Sequence, residues 1–80
     1  MKPDIARHVL RAAFRSAAEL QQVLPLLKEN CTAKEYDEFR TGIATAIATV
    51  GDEVTNRILA ANPGLSKEVD EEMKRYGRLL

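Results

Sequence analysis

The stretch Thr41–Gly51, TGIATAIATVG, decides the fold class of this chain. It is built from glycine, alanine, threonine, isoleucine and valine alone, and charged segments flank it on both sides. Its large apolar side chains recur at the spacing of one helix face, at Ile43, Ile47 and Val50. The periodicity predicts that this stretch is the middle of an amphipathic helix.

The same apolar stripe extends outward in both directions. Its members are Tyr36, Phe39, Ile43, Ala46, Ile47, Val50, Val54, Ile58 and Ala61. Spacing of this kind is typical of a long amphipathic helix, and no segment of the sequence alternates with period two over the length of a strand. The sequence therefore predicts an all-α fold.

Two breaks in the pattern set the helix boundaries. In KENCTAKE, residues 28–35, Thr32 and Glu35 have the spacing of a capping box, and Asn30 suits the end of the preceding helix. In ANPGLS, residues 61–66, Asn-Pro-Gly cannot continue a helix, and Ser66 can cap a new one. We predict a single helical domain, residues 1–80, with helices at about 4–29, 33–61 and 66–79.

The first and third helices carry apolar rows of their own. The first row comprises Ala6, Val9, Ala13, Ser16, Leu20, Val23 and Leu27, and the third comprises Val69, Met73, Tyr76 and Leu80, with Leu65 just before its start. Pro25 removes a helical hydrogen bond and disfavours a helical conformation at Leu24. We expect a kink there, or a break followed by a short turn over residues 25–29.

The back face of the second helix is a candidate interaction surface. Thr41, Thr45 and Thr49 follow one another at four-residue spacing, opposite the apolar stripe. Threonine costs roughly 0.6 kcal/mol and glycine about 1 kcal/mol relative to alanine in a helix. Small uncharged residues there favour close contact with another helix, although a mildly polar solvated face is the alternative.

The chain length also favours a partner. A chain of 80 residues buries only about 60–65% of its unfolded surface, so its stability as a monomer should be marginal. The third helix is too short to cover the groove between the two long ones. We expect a homodimer in which two hairpins form a four-helix bundle, with the third helix docked outside. A monomeric three-helix bundle is the alternative.

A basic ridge on the first helix is the most suggestive charged feature. Arg7, Arg11 and Arg15 share one helix face, which could contact phosphates or the acidic run at Glu68, Asp70, Glu71 and Glu72. The chain has 12 basic and 12 acidic residues. This balance favours pairing within the assembly, and nucleic acid is the less favoured partner.

The sequence contains no pattern typical of a catalytic, cofactor or metal site. His8 has no obvious acid or nucleophile beside it, and Cys31 is the single cysteine. The N-terminus lacks an uninterrupted apolar signal segment, and no apolar run is long enough to span a bilayer. We expect a cytoplasmic, non-enzymatic interaction module that binds itself and possibly another protein. The alternative is a nucleic-acid-binding regulator that uses the basic face of helix one.

Overall fold

The computed structural model describes residues 1–79, and every regular element in that part of the chain is helical. This confirms the all-α class and the hairpin of two long segments followed by a shorter helix. In chain order the elements are α1 (Pro3–Gln22), α2 (Leu24–Asn30), α3 (Ala33–Val50), a π-helical turn (Gly51–Thr55), α4 (Asn56–Ala61) and α5 (Pro63–Tyr76).

The first long segment is broken near its C-terminal end. Val23 separates α1 from α2, and its N–H makes a long 3.4 Å bond to the carbonyl of Leu20. Pro25 lies in the first turn of α2, where its missing N–H leaves no helical bond unmade. Of the two expected outcomes, the structure has the break followed by a short helix, and no single helix runs over residues 4–29.

The second long segment is helical from residue 33 to residue 61, as predicted. The predicted capping box is confirmed: the Glu35 N–H donates to Thr32 Oγ1 at 3.1 Å, and the Thr32 N–H donates to the Glu35 carboxylate at 2.9 Å. The sequence did not indicate the π-helical turn, in which the Asn56 N–H bonds the carbonyl of Gly51.

The π-helical turn changes which residues face the core. One additional residue in a turn sets the following helix back by roughly 100°, the rotation of one residue. In α4, after this turn, Ile58 is buried, whereas Ala61, predicted on the same stripe, is exposed. Phe39 and Ala46 are also exposed, because they lie at the edge of the stripe and the facing helices cover only its middle.

The third helix begins and ends earlier than predicted. It starts at Pro63 and not at Ser66, since proline has the backbone angle of a first helical residue already fixed. It ends at Tyr76 and not at residue 79, because Gly77 adopts the left-handed conformation, with φ 72°. Leu80, predicted on the row of this helix, lies outside the described residues.

The buried core occupies one end of the molecule. It contains Ala6, Leu10 and Ala13 from α1, Ile58 from α4 and Leu65 from α5. Leu10 is its largest fully buried side chain, yet the predicted row left it out and included Ser16, which is exposed. Leu10 lies four residues after Ala6 and three before Ala13, so it shares their face of α1, and it packs with Ile58 of α4 and Leu65 of α5.

Candidate interaction surfaces

The other end of the molecule has no buried side chain. We call this end, which comprises α2, the C-terminal half of α1 and α3, the hairpin end. Among the described residues, none from Phe14 to Arg57 is buried. The side chains between the helices are only half-buried, and they include Leu20, Leu24, Leu27, Tyr36, Ile43 and Ile47. The helices of this hairpin therefore enclose no fully buried side chain.

Three large apolar side chains of the hairpin end are exposed to solvent. Val23, Leu26 and Phe39 have exposed fractions of 38%, 61% and 53%. Two belong to α2 and the residue before it, and the third lies near the start of α3. Exposed apolar side chains that accompany a missing interior typically mark an interface.

The shape of the chain is far from that of a compact monomer. Its radius of gyration is 14.9 Å, and its extents are 45 × 25 × 16 Å. A compact domain of this length has a radius of gyration of roughly 11.6 Å. The accessible surface is 5986 Å², whereas a compact monomer of this mass exposes roughly 4,800 Å². The excess is about 1,200 Å² by the same relation.

The predicted threonine face lies on the outside of α3. Thr41, Thr45 and Thr49 are all exposed. The Thr45 hydroxyl donates to the carbonyl of Thr41 at 3.0 Å, and the Thr49 hydroxyl donates to that of Thr45 at 2.9 Å. Both hydroxyl protons are therefore used inside the helix, and the face has less polar character than its sequence suggests.

The three arginines of the predicted ridge have different surroundings. Arg7 donates from Nε and Nη2 to the two carboxylate oxygens of Glu68, at 2.8 and 3.1 Å. Arg11 is half-buried, and it lines a cavity of about 20 Å³ with Arg7 and Glu68, large enough for about one water molecule. Arg15 is exposed. The ridge is thus not a uniform row of free cations.

The ion pair shifts the titration of both partners. The hydrogen bonds that Glu68 accepts from Arg7 lower its pKa below the ordinary value of 4.5, and the positive charges of Arg7 and Arg11 add to the effect. The same pairing raises the pKa of Arg7. Both side chains stay charged at neutral pH, which keeps α5 attached to α1 by charge as well as by packing.

A groove of about 770 Å³ lies between the C-terminal half of α1 and the end of α5. Its apolar lining includes Phe14, Met73 and Leu79, and its guanidinium groups come from Arg11, Arg15 and Arg78. Sequence reasoning missed this surface, because nothing in the pattern placed Arg78 beside α1. The left-handed Gly77, which turns the chain back towards α1, is the one signal that could have indicated it.

The remaining candidate residues are separate from these surfaces. His8 is exposed on α1, and Cys31 is half-buried at the end of α2. Within residues 1–79, no three histidine, cysteine or acidic side chains are grouped as metal ligands would be. None of the helices in this part of the chain combines the length and the apolar character needed to cross a bilayer.

Neither protein-family profiles, nor curated proteins, nor solved structures give a match to this chain. Three surface features bear on the function: the hairpin end, which has no buried side chain, the exposed threonine face, and the groove between α1 and α5 with its three arginines.

Proposed function

We propose that this chain is a non-enzymatic helical interaction module that acts as a homodimer. The observation that carries the proposal is the absence of any buried side chain between Phe14 and Arg57, within the described part of the chain. Two α-helices packed in a hairpin bury one stripe each, and a stable domain needs a further layer over that stripe. A second hairpin supplies such a layer.

The size of the excess surface supports the same reading. Stable protein–protein interfaces bury roughly 600–1,000 Å² on each partner. The chain exposes about 1,200 Å² more than a compact monomer of its mass, which is somewhat more than one protomer loses in a dimer of ordinary size.

The arrangement we propose is a four-helix bundle built from two hairpins. The half-buried apolar residues of α1, α2 and α3 would form the shared interior, and α5 would lie on the outer edge of each copy. The threonine face of α3 (Thr41, Thr45 and Thr49) lies opposite the stripe that would form this interior, so it would stay on the outside of the bundle, open to a further helix.

The nucleic-acid alternative has less support. A phosphate-binding row needs cations that are free to meet the backbone of the nucleic acid. Arg7 is instead bonded by two hydrogen bonds to Glu68. Retention on a DNA column at low salt, abolished by Arg11→Glu, would favour this alternative, and no retention would exclude it.

The deciding experiment is the molar mass in solution, measured by light scattering after size-exclusion chromatography in reducing buffer. We expect twice the chain mass of 8.9 kDa over a wide range of concentrations. A single species of one chain mass at every concentration would refute the homodimer.

Matched variants locate the interface. Leu26→Lys and Phe39→Lys place a charge on the hairpin end and should produce a monomer. Ile5→Lys is the control, since Ile5 is also exposed but lies at the core end of α1. If all three variants keep the dimer mass, the interface does not include the hairpin end.

A further inference from the structure

The groove between α1 and α5 restricts the chemistry of what can occupy it. Its floor is apolar, and among the described residues the charged side chains that line it are three arginines and one carboxylate, that of Glu19. Two of the guanidinium groups, those of Arg15 and Arg78, belong to exposed residues. The occupant that complements this surface carries an apolar side chain flanked by carboxylates.

The length of the groove favours the edge of a helix. Along α1 its lining runs from Arg11 to Gln22. Eleven residue steps of an α-helix span about 16 Å, or three turns. An elongated groove with apolar contacts along three turns is the typical receptor of an amphipathic helix, whose anchors recur every three or four residues.

The chain itself carries a helix edge of this chemistry. On α3, Glu35, Glu38 and Phe39 lie on one face at three- and four-residue spacing. The phenyl ring of Phe39 is about half exposed, and both glutamates are exposed. We call these three residues the acidic edge. We infer that the acidic edge of a second copy docks in the basic groove, with Phe39 on the apolar floor and Glu38 beside Arg15.

The placement of the two surfaces allows a closed dimer. The acidic edge lies where α3 begins, next to α2 and therefore at the far end of the molecule from the core. In a symmetric dimer, a two-fold axis between the groove and the acidic edge of one copy would pair each groove with the acidic edge of the other copy. Each copy then contributes one groove and one acidic edge, so both contacts are satisfied at once.

This inference rests on the proposed homodimer, and reciprocal charge reversal tests it separately. Arg15→Glu and Glu38→Arg are each expected to raise the dimer Kd at least tenfold, measured by sedimentation over a concentration series. An equimolar mixture of the two variants should form a heterodimer with a Kd within about threefold of the wild-type value. Circular dichroism verifies that each variant remains helical.

The control and the contrary outcomes are distinct. Lys67→Glu reverses an exposed charge in the second turn of α5, outside the groove lining, and should leave the Kd unchanged. A dimeric wild type whose Kd is unaffected by both reversals, or a mixture that is no tighter than the separate variants, would overturn the docking while leaving the homodimer intact. A monomeric wild type would overturn both proposals.

Discussion

Arg7 joins the first helix to α5 across 61 residues of sequence, through two parallel hydrogen bonds to the carboxylate of Glu68. The two side chains remain 38% and 48% exposed. Exposed ion pairs contribute little stability by themselves, but a bidentate arginine–carboxylate pair has a defined geometry. The pair therefore fixes the position of α5 along α1 more than it strengthens the core.

The Glu68 pairing predicts how stability depends on pH. Because the pKa of Glu68 is lowered in the folded chain from its ordinary 4.5, the unfolded chain binds the proton more readily. The contribution is present above the unfolded value and is lost as the pH falls through the folded value. Glu68→Gln should lower the urea midpoint at pH 7, and the difference from the wild type should shrink towards pH 3. An equal difference at both pH values would contradict the pairing.

Because Leu10 is buried in the core and Ile5 is half exposed, truncating these two side chains of α1 should change the stability by very different amounts. Leu10→Ala removes a side chain that is only 2% exposed and should lower the free energy of unfolding by about 2–5 kcal/mol. Ile5→Ala truncates a side chain that is half exposed, so its cost should be much smaller. Urea unfolding at one fixed protein concentration measures both. Equal losses would mean that the core is not centred on Leu10.

The capping box predicts the effect of losing one hydroxyl group. Thr32→Ala removes the acceptor of the Glu35 N–H and should destabilise the fold by about 1 kcal/mol. Thr41→Ala is the matched control, because it removes the same group from an exposed site within α3. Alanine is the better helix former there, so this control should be neutral or stabilising by roughly 0.6 kcal/mol in a single chain.

Substitution of Gly42 tests whether another chain packs closely against α3. A side chain added at Gly42 meets nothing within 4 Å in one copy, and alanine favours the helix by about 1 kcal/mol over glycine. Gly42→Ala should therefore raise the helix stability of the monomer. If the neighbouring helix of a second copy lies close to this position, the same change should raise the dimer Kd. A Kd that stays constant would place Gly42 outside the interface.

Sequence patterns correctly predicted several structural features that depend only on residues close together in the chain. Apolar periodicity and local hydrogen-bonding residues predicted the helical class, the capping box and the break near Pro25. The start of α5 was misplaced because both Ser66 and Pro63 are good first-turn residues, and local rules do not rank them. Only the packing of Leu65 against α1 and α4 requires the helix to begin before it.

The candidate surfaces were predicted in part. The sequence predicted that the arginine ridge could pair with the acidic run, because charge balance favours pairing, but it could not identify Arg7 and Glu68 as the two partners. It missed Leu10, which lies on the same face of α1 as the predicted Ala6 and Ala13 and packs with Ile58 and Leu65. It also missed the groove, which depends on residues from two helices that approach each other only in three dimensions.

At the π-helical turn, residues 51–55, regular helical hydrogen bonding conflicts with the packing of the core. Removing one residue there would complete an uninterrupted α-helix and improve its own ladder of hydrogen bonds. The same deletion would rotate α4 by roughly 100° and carry Ile58 away from Leu10 and Leu65. The segments before and after the turn thus present separately oriented faces, one towards the open hairpin end and one towards the closed core. The one additional residue of the π-helical turn thus allows a single continuous helical segment to face both the hairpin end and the core.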